Sequence, residues 1–238
     1  MAVEFDVRHQ ALRQGRFLKR QNAITAALSG GIPAIAFGMV FGWRHAALGF
    51  VLGLLWANAF EYSYHRWLLH WPQSSFGKNH LLHHSSVGAA NEAAHLTFGD
   101  SPLWVAALFA VHLLPVAFLD LRWHAQIGAG LYIGFGVYFM AVEEIHWRVH
   151  LGEWLPPGLI AARNYHLAHH DEPAGRFNVF FPVCDYLFGN VKPEVVVNPS
   201  PLPAQEPLIP CWWATVPCLY MLGLAVAIRF VFWGPRRL

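Results

Sequence analysis

Ten of the chain's 15 histidines fall into four clusters. In order these are His65 and His70; His80, His83 and His84; His146 and His150; and His166, His169 and His170. Neutral imidazole is the commonest side-chain ligand for transition metals, so the chemistry such clusters point to is metal binding. The H-x-x-H-H triplets at His80 and His166 read as helical, and positions i, i+3 and i+4 share one face. Each triplet is therefore expected to turn all three rings toward one ion. His146 and His150 are one helical turn apart, a sound geometry for a shared ion. His65 and His70 differ: on a regular helix i and i+5 stand about 140° apart. The helix is expected to end or turn near Leu68, as Pro72 also suggests, unless the two rings serve different ions.

Ten imidazoles exceed what one ion holds, and two ions with about five each are the natural division. Ligation without cysteine argues against a structural zinc site. Carboxylates near the clusters are expected to hold imidazole N–H groups and fix their tautomers. Glu61 lies one turn before His65, Glu143 lies at i−3 to His146, Asp171 follows the last triplet, and Asp185 lies further on. The remaining histidines read otherwise. His9 is in the polar tail, and His45 and His124 are in short loops. His112 is alone in an apolar run and is expected to bond to a neighbouring helix. His95 reads as structural or as a support to the ligands, and Asn178 as a turn residue.

The elements that must position these rings are membrane elements. Hydrophobic residues make up 55% of the chain and charged ones 13%, where soluble domains carry about 25% charged residues. The expected fold is an all-α integral membrane protein with about four transmembrane helices in two hairpins, a cytosolic His-rich helical cap and a C-terminal hydrophobic segment. Residues 1–21 are polar and basic and read as a cytosolic segment, without the pattern of a cleavable signal. Residues 22–190 read as the catalytic domain, with hairpins at about 23–64 and 102–142, each run near the roughly 20 residues a bilayer requires. Gly30-Gly31 and Pro33 predict a kinked or broken first helix. A Pro-rich connector at 191–210 and an apolar segment at 211–238 follow, and whether the latter spans is open. With the basic N-terminus in the cytosol, both hairpins return the chain to that side, which places the His-rich segments at the cytoplasmic face. Cys184, Cys211 and Cys218 show no paired spacing and read as buried apolar residues. No basic patch or motif points to nucleic acid.

The ordered motifs H-x4-H, H-x2-H-H, H-x3-H and H-x2-H-H resemble those of the integral-membrane fatty acid hydroxylase and sterol desaturase superfamily. Glu61-Tyr62-Ser63-Tyr64-His65-Arg66 looks like its first motif, and Phe177 to Gly189 is similar to its closing element. The resemblance covers roughly residues 55–190. It implies a non-haem di-iron site in which the ten motif histidines are iron ligands, with zinc able to replace iron on purification. It also implies O2 as co-substrate and an external electron donor, ferredoxin-like or cytochrome b5-like with a reductase. The implied reaction is hydroxylation of a lipid C–H bond, first of a fatty acyl chain, with sterol or carotenoid substrates and desaturation as alternatives. Gly128, Gly130, Gly134 and Gly136, with Tyr132, Phe135, Tyr138 and Phe139, would either shape an acyl groove or pack helices closely. A metal-transport or metal-binding protein is the competing class. It calls for ionisable groups along the spans, which apart from His112 are nearly free of them.

Overall fold

The computed structural model describes residues 2–191. The connector from residue 192 on and the apolar segment at 211–238 lie outside the described residues. Every regular element among the described residues is helical. The eight α-helices are α1 (Ala2–Phe41), α2 (Ala46–Ser63), α3 (Ser75–Ser85), α4 (Pro102–Val111), α5 (Leu113–Trp123), α6 (Gly128–His150), α7 (Ile160–Asp171) and α8 (Val183–Leu187). A π-helix at Tyr64–Leu69 follows α2, and a 3-10 turn covers Glu92–His95. Glu4–Phe41 and Pro102–Trp123 are long and apolar enough to cross a membrane.

The chain divides into two compact units. Among the described residues, one comprises the chain up to Arg20, Asn58–Gly99 and residues 142–191; the other comprises Gln21–Ala57 and Asp100–Ala141.

The second unit is built on close helix contacts. A Cβ on Gly130 would strike the carbonyl oxygen of Ala46, and one on Gly134 that of Phe50. The reverse holds on α2, where Gly49 and Gly53 meet the carbonyls of Ile127 and Leu131. Small residues on both helices let the backbones touch. Gly128 is closed in by the Phe37 ring and the Asp120 carboxylate. Three of the four α6 glycines are therefore filled by neighbouring atoms, which settles the choice between groove and packing for them. Tyr132, Phe135, Tyr138 and Phe139 are buried beside them.

One expectation changes in this unit. α1 continues without a break through Gly30-Gly31 and Pro33, a tolerance membrane-type helices have when neighbours satisfy the freed groups. His112, at the join of α4 and α5, donates from Nδ1 to the Leu108 carbonyl at 2.7 Å, and its ring also meets that of Phe135 on α6, with centroids 4.8 Å apart. Asp120, near the end of α5, is buried and accepts from the Ile127 and Gly128 amides at 3.0 Å each. It satisfies donors that the start of α6 leaves open and lies at its positive end.

Two apolar clusters lie in the first unit among the described residues. Ala11, Ala93, Leu96 and Trp147 form one; Tyr62, Phe177 and Cys184 form the other. Glu144 joins α1 to α6 by bonding Lys19 Nζ at 2.7 Å and Arg148 Nε at 2.6 Å. Gly15 lets α1 approach closely, because a Cβ there would strike the Ala93 carbonyl and the Trp147 ring. Ser74 caps α3 by accepting from the Gly77 amide at 2.8 Å, a typical N-cap contact. These contacts fix the start of α3 and the C-terminal part of α6, two helices that carry histidines.

Candidate metal centre

The first unit brings all ten motif histidines into two groups of five. His65, His70, His80, His84 and His169 form one, and His83, His146, His150, His166 and His170 the other. Within each group one ligand nitrogen per residue lies within 4.8 Å of every other. The triplets do not keep to one group, as their shared helix face suggested. Each sends its first and last histidine to one group and its middle one to the other. On a helix i and i+4 are about 40° apart, whereas i+3 and i+4 are about 100° apart. The middle ring therefore diverges and crosses over. His65 and His70 reach the same group because the chain winds as a π-helix between them, with i→i+5 bonds. The helix does end at Leu69, close to the expected point.

The ring orientations are set from behind. Nδ1 of His65 donates to the Phe177 carbonyl at 2.5 Å, and Nδ1 of His169 to that of Gly175 at 2.7 Å. Nδ1 of His146 donates to the Leu96 carbonyl at 3.0 Å, and Nδ1 of His150 to the Glu92 carboxylate at 2.9 Å. A neutral ring with its proton on Nδ1 presents a bare lone pair at Nε2. Those Nε2 atoms point inward. They lie 3.1 Å from His80, 3.2 Å from His70, 3.2 Å from His83 and 3.0 Å from His166, in each case Nε2 to Nε2. His84 approaches His80, and His170 approaches His166, at 3.0 and 3.2 Å. Zinc holds imidazole nitrogen at about 2.0–2.1 Å, so nitrogens at right angles on one ion stand about 3 Å apart. The donor set and its spacing fit a cation in each group.

Burial favours the neutral, ligating form. It pushes His65, His83, His150 and His166 well below the ordinary imidazole value, and neighbouring histidines add to the effect. His146 and His84 are lowered to about 4 and His169 to about 3, burial again the main cause. Three Nδ1 atoms, on His83, His166 and His170, are buried without a hydrogen-bond partner.

Three of the four carboxylates named from sequence hold backbone amides. Glu61 accepts from the Asn178 side chain at 2.8 Å and the Val179 amide at 2.9 Å. Asp185 accepts from the Phe177 and Asn178 amides at 2.9 and 2.8 Å. Both thus fix the segment whose Phe177 carbonyl receives the His65 proton. Glu143 accepts from the Phe98 amide at 2.6 Å, two residues beyond the Leu96 carbonyl that receives His146. Asp171 is exposed at the end of α7 and belongs to neither group. Asn178 is fully buried and bonds Glu61 and the Asn58 carbonyl, a tertiary role where a turn was expected. His95 stands apart, near the Asn91 side chain at 3.3 Å.

Glu92, not named from sequence, is the carboxylate that meets a ligand ring. Burial raises its carboxyl to about 7, with the Gly88 amide and Arg8 pulling the other way. Its signal in the sequence is weak: an acid inside a His-rich segment, far along the chain from its partner.

The family model described as fatty acid hydroxylase matches residues 50–190, more than half of the chain. No curated protein and no solved structure matches.

Proposed function

The chain belongs to the fatty acid hydroxylase family, and from that premise we propose that it hydroxylates a C–H bond of a fatty acyl chain at a pair of iron ions. Lipid oxidation of the hydroxylase or desaturase type is the family's chemistry. The observation that carries the reading to the site is the division of ten imidazoles into two groups of five, each with ligand nitrogens at ion-sharing distances. Iron, when bound, supplies the activation of O2 that no side chain can.

The chain's own residues supply the rest. The groups drawn above are the proposed ligand sets, His65, His70, His80, His84 and His169 for one ion and His83, His146, His150, His166 and His170 for the other. Phe177, Gly175, Leu96 and Glu92 hold four of those rings in the tautomer that presents Nε2. Burial keeps the rings free of protons that would compete with the metal. Neutral ligands leave two divalent ions uncompensated, so the site stays strongly cationic.

Inserting one oxygen atom of O2 into C–H and releasing the other as water consumes two electrons and two protons. In this reading the electrons come from a separate donor protein, ferredoxin-like or cytochrome b5-like with its reductase. The apolar composition and the apolar helices support an integral membrane location, and the basic N-terminal segment supports a multi-pass reading with the site at the cytoplasmic face.

The test is anaerobic purification of the full chain for metal analysis, with lipid profiling by mass spectrometry after expression in a host lacking the activity. Iron near two per chain and a hydroxylated acyl product absent from the His169→Ala variant are expected. A new double bond in place of a hydroxyl would move the reading to a desaturase. A metal-free chain that leaves lipids unchanged would sink it.

A further inference from the structure

The two groups differ in what stands behind their rings. Behind the group of His65 and His169 are backbone carbonyls, those of Phe177 and Gly175. Behind the other group are the Leu96 carbonyl and, at His150, a carboxylate. The Glu92 Oε1 atom lies 2.9 Å from His150 Nδ1, and the His150 side chain is fully enclosed. The other carboxylate oxygen accepts from the Gly88 amide at 3.0 Å. Glu92 also opens the 3-10 turn Glu92–His95 and is itself buried. Its carboxylate is thus held at both oxygens.

A carbonyl and a carboxylate are not equivalent acceptors. Both fix the ring and its tautomer. A carboxylate also draws the Nδ1 proton toward itself and raises the basicity of the opposite nitrogen. The extra electron density goes to whatever His150 Nε2 binds, and that nitrogen lies with His166 at 3.0 Å in the second group.

We propose that Glu92 is a positioning residue that strengthens one metal site selectively, the one formed by His83, His146, His150, His166 and His170, and so makes the two ions inequivalent. The proposal rests on the reading that both groups hold iron. Glu92 does not touch the ion or the substrate; it acts through His150.

The experiment loads the full chain anaerobically with iron-57 and compares wild type with Glu92→Gln, Glu92→Asp and His150→Ala. Mössbauer spectra and a chelator titration read each iron separately. Wild type is expected to show two distinct ferrous signals. In Glu92→Gln, one signal shifts and its iron is lost at about 10- to 100-fold lower chelator concentration, while the other is unmoved. His150→Ala affects the same signal, which assigns it. Glu92→Asp restores much of the wild-type behaviour by keeping the charge. A purely structural role through Gly88 would instead lower the unfolding midpoint of the metal-free chain and loosen both irons alike. Equal loosening, or no change in either iron, overturns the proposal. A wild-type chain that binds fewer than two irons overturns the functional reading, and the inference with it, before any variant is compared.

Discussion

The backbone N–H of His70 donates to the carbonyl of His65 across 3.3 Å. That bond spans five residues, one more than an α-helix allows, and it makes a pair at the wrong helical spacing serve one site. An α-helix would have thrown the two rings about 140° apart. The π-helix at Tyr64–Leu69 removes the mismatch, in keeping with the appearance of such turns at functional sites. His65→Ala and His70→Ala are therefore expected to deplete the same ion, with metal content falling from near two toward one per chain. Metal analysis of each single variant and of the double variant checks this. A double variant that loses both ions would mean the pair is divided between sites.

The crossing of the triplets yields a sharper contrast between chain neighbours. His83→Ala is expected to weaken the ion shared with His146 and His150, and His84→Ala the ion shared with His65 and His70. In double-mutant combinations, His83→Ala with His150→Ala should leave one ion in place, whereas His84→Ala with His150→Ala should weaken both. Metal content per chain reads the difference directly, and identical results for the two pairs would dissolve the grouping.

How much of this was legible follows from what each residue needs from distant chain. The four clusters and their total of ten rings are local spacings, and the sequence shows them plainly. The crossing of His83 and His169 was legible in principle, because one helical step is about 100°; treating i, i+3 and i+4 as one face concealed it. Glu92 was not legible. It meets His150 through a loop and a 3-10 turn, and no periodicity connects residues 58 apart. Asp185 and Glu61 stand beside the motifs in sequence, but their partners are amides of the Phe177–Val179 segment, which only the tertiary structure brings to them. The α6 glycines suit groove and packing alike on spacing alone; the choice depends on Ala46 and Phe50, on another helix.

That packing has its own test. Gly134→Ala places a methyl group against the Phe50 carbonyl, and Gly130→Ala against that of Ala46. Overpacking of this kind costs about 1–3 kcal/mol, so both variants should lower the unfolding midpoint and the yield of folded protein. Gly31→Ala meets nothing within 4 Å and should be neutral or slightly stabilising through helix propensity. If Gly134→Ala instead left stability intact and altered only the acyl chain length accepted, the glycine would be lining a groove.

Glu144 offers a stability test close to the site but distinct from its ligands. It pairs with Lys19 at 2.7 Å and Arg148 at 2.6 Å, with the Glu144 and Arg148 side chains 6% and 7% exposed. Removing one partner of a buried ion pair leaves an uncompensated charge and costs about 3–5 kcal/mol. Glu144→Ala should therefore destabilise the fold by that order in denaturant titrations. Replacing Lys19, which is 17% exposed, by methionine should cost less, because Glu144 keeps Arg148. Equal losses would place the stabilisation in the Lys19 packing over Trp147, where its Nζ lies 4.7 Å from the ring centre.

The acid response of the metal-free chain follows from the lowered imidazole values. His146 and His84 fall from 6.5 to about 4 in the folded chain, and burial is the main cause in both. Below 6.5 the unfolded chain takes up protons that the folded chain refuses. The stability these groups contribute is fully present above 6.5 and is lost as pH falls toward 4. Each buried group contributes up to about 1.4 kcal/mol per pH unit in that window, with less from the partly exposed His84. Glu92, raised from 4.5 to about 7, acts with the opposite sign: its contribution is present below 4.5 and is lost as pH rises through 7. Asp185 is raised as well. Two acids stand against ten histidines that all shift downward, so the histidines win. The chelator-stripped chain is expected to lose thermal stability steeply between pH 6.5 and 5, whereas the iron-loaded chain, in which protons must first displace metal, should hold to lower pH. A flat midpoint across that interval in the stripped chain would mean that the rings are solvated when the metal is removed, and that the folded site does not survive without its ions.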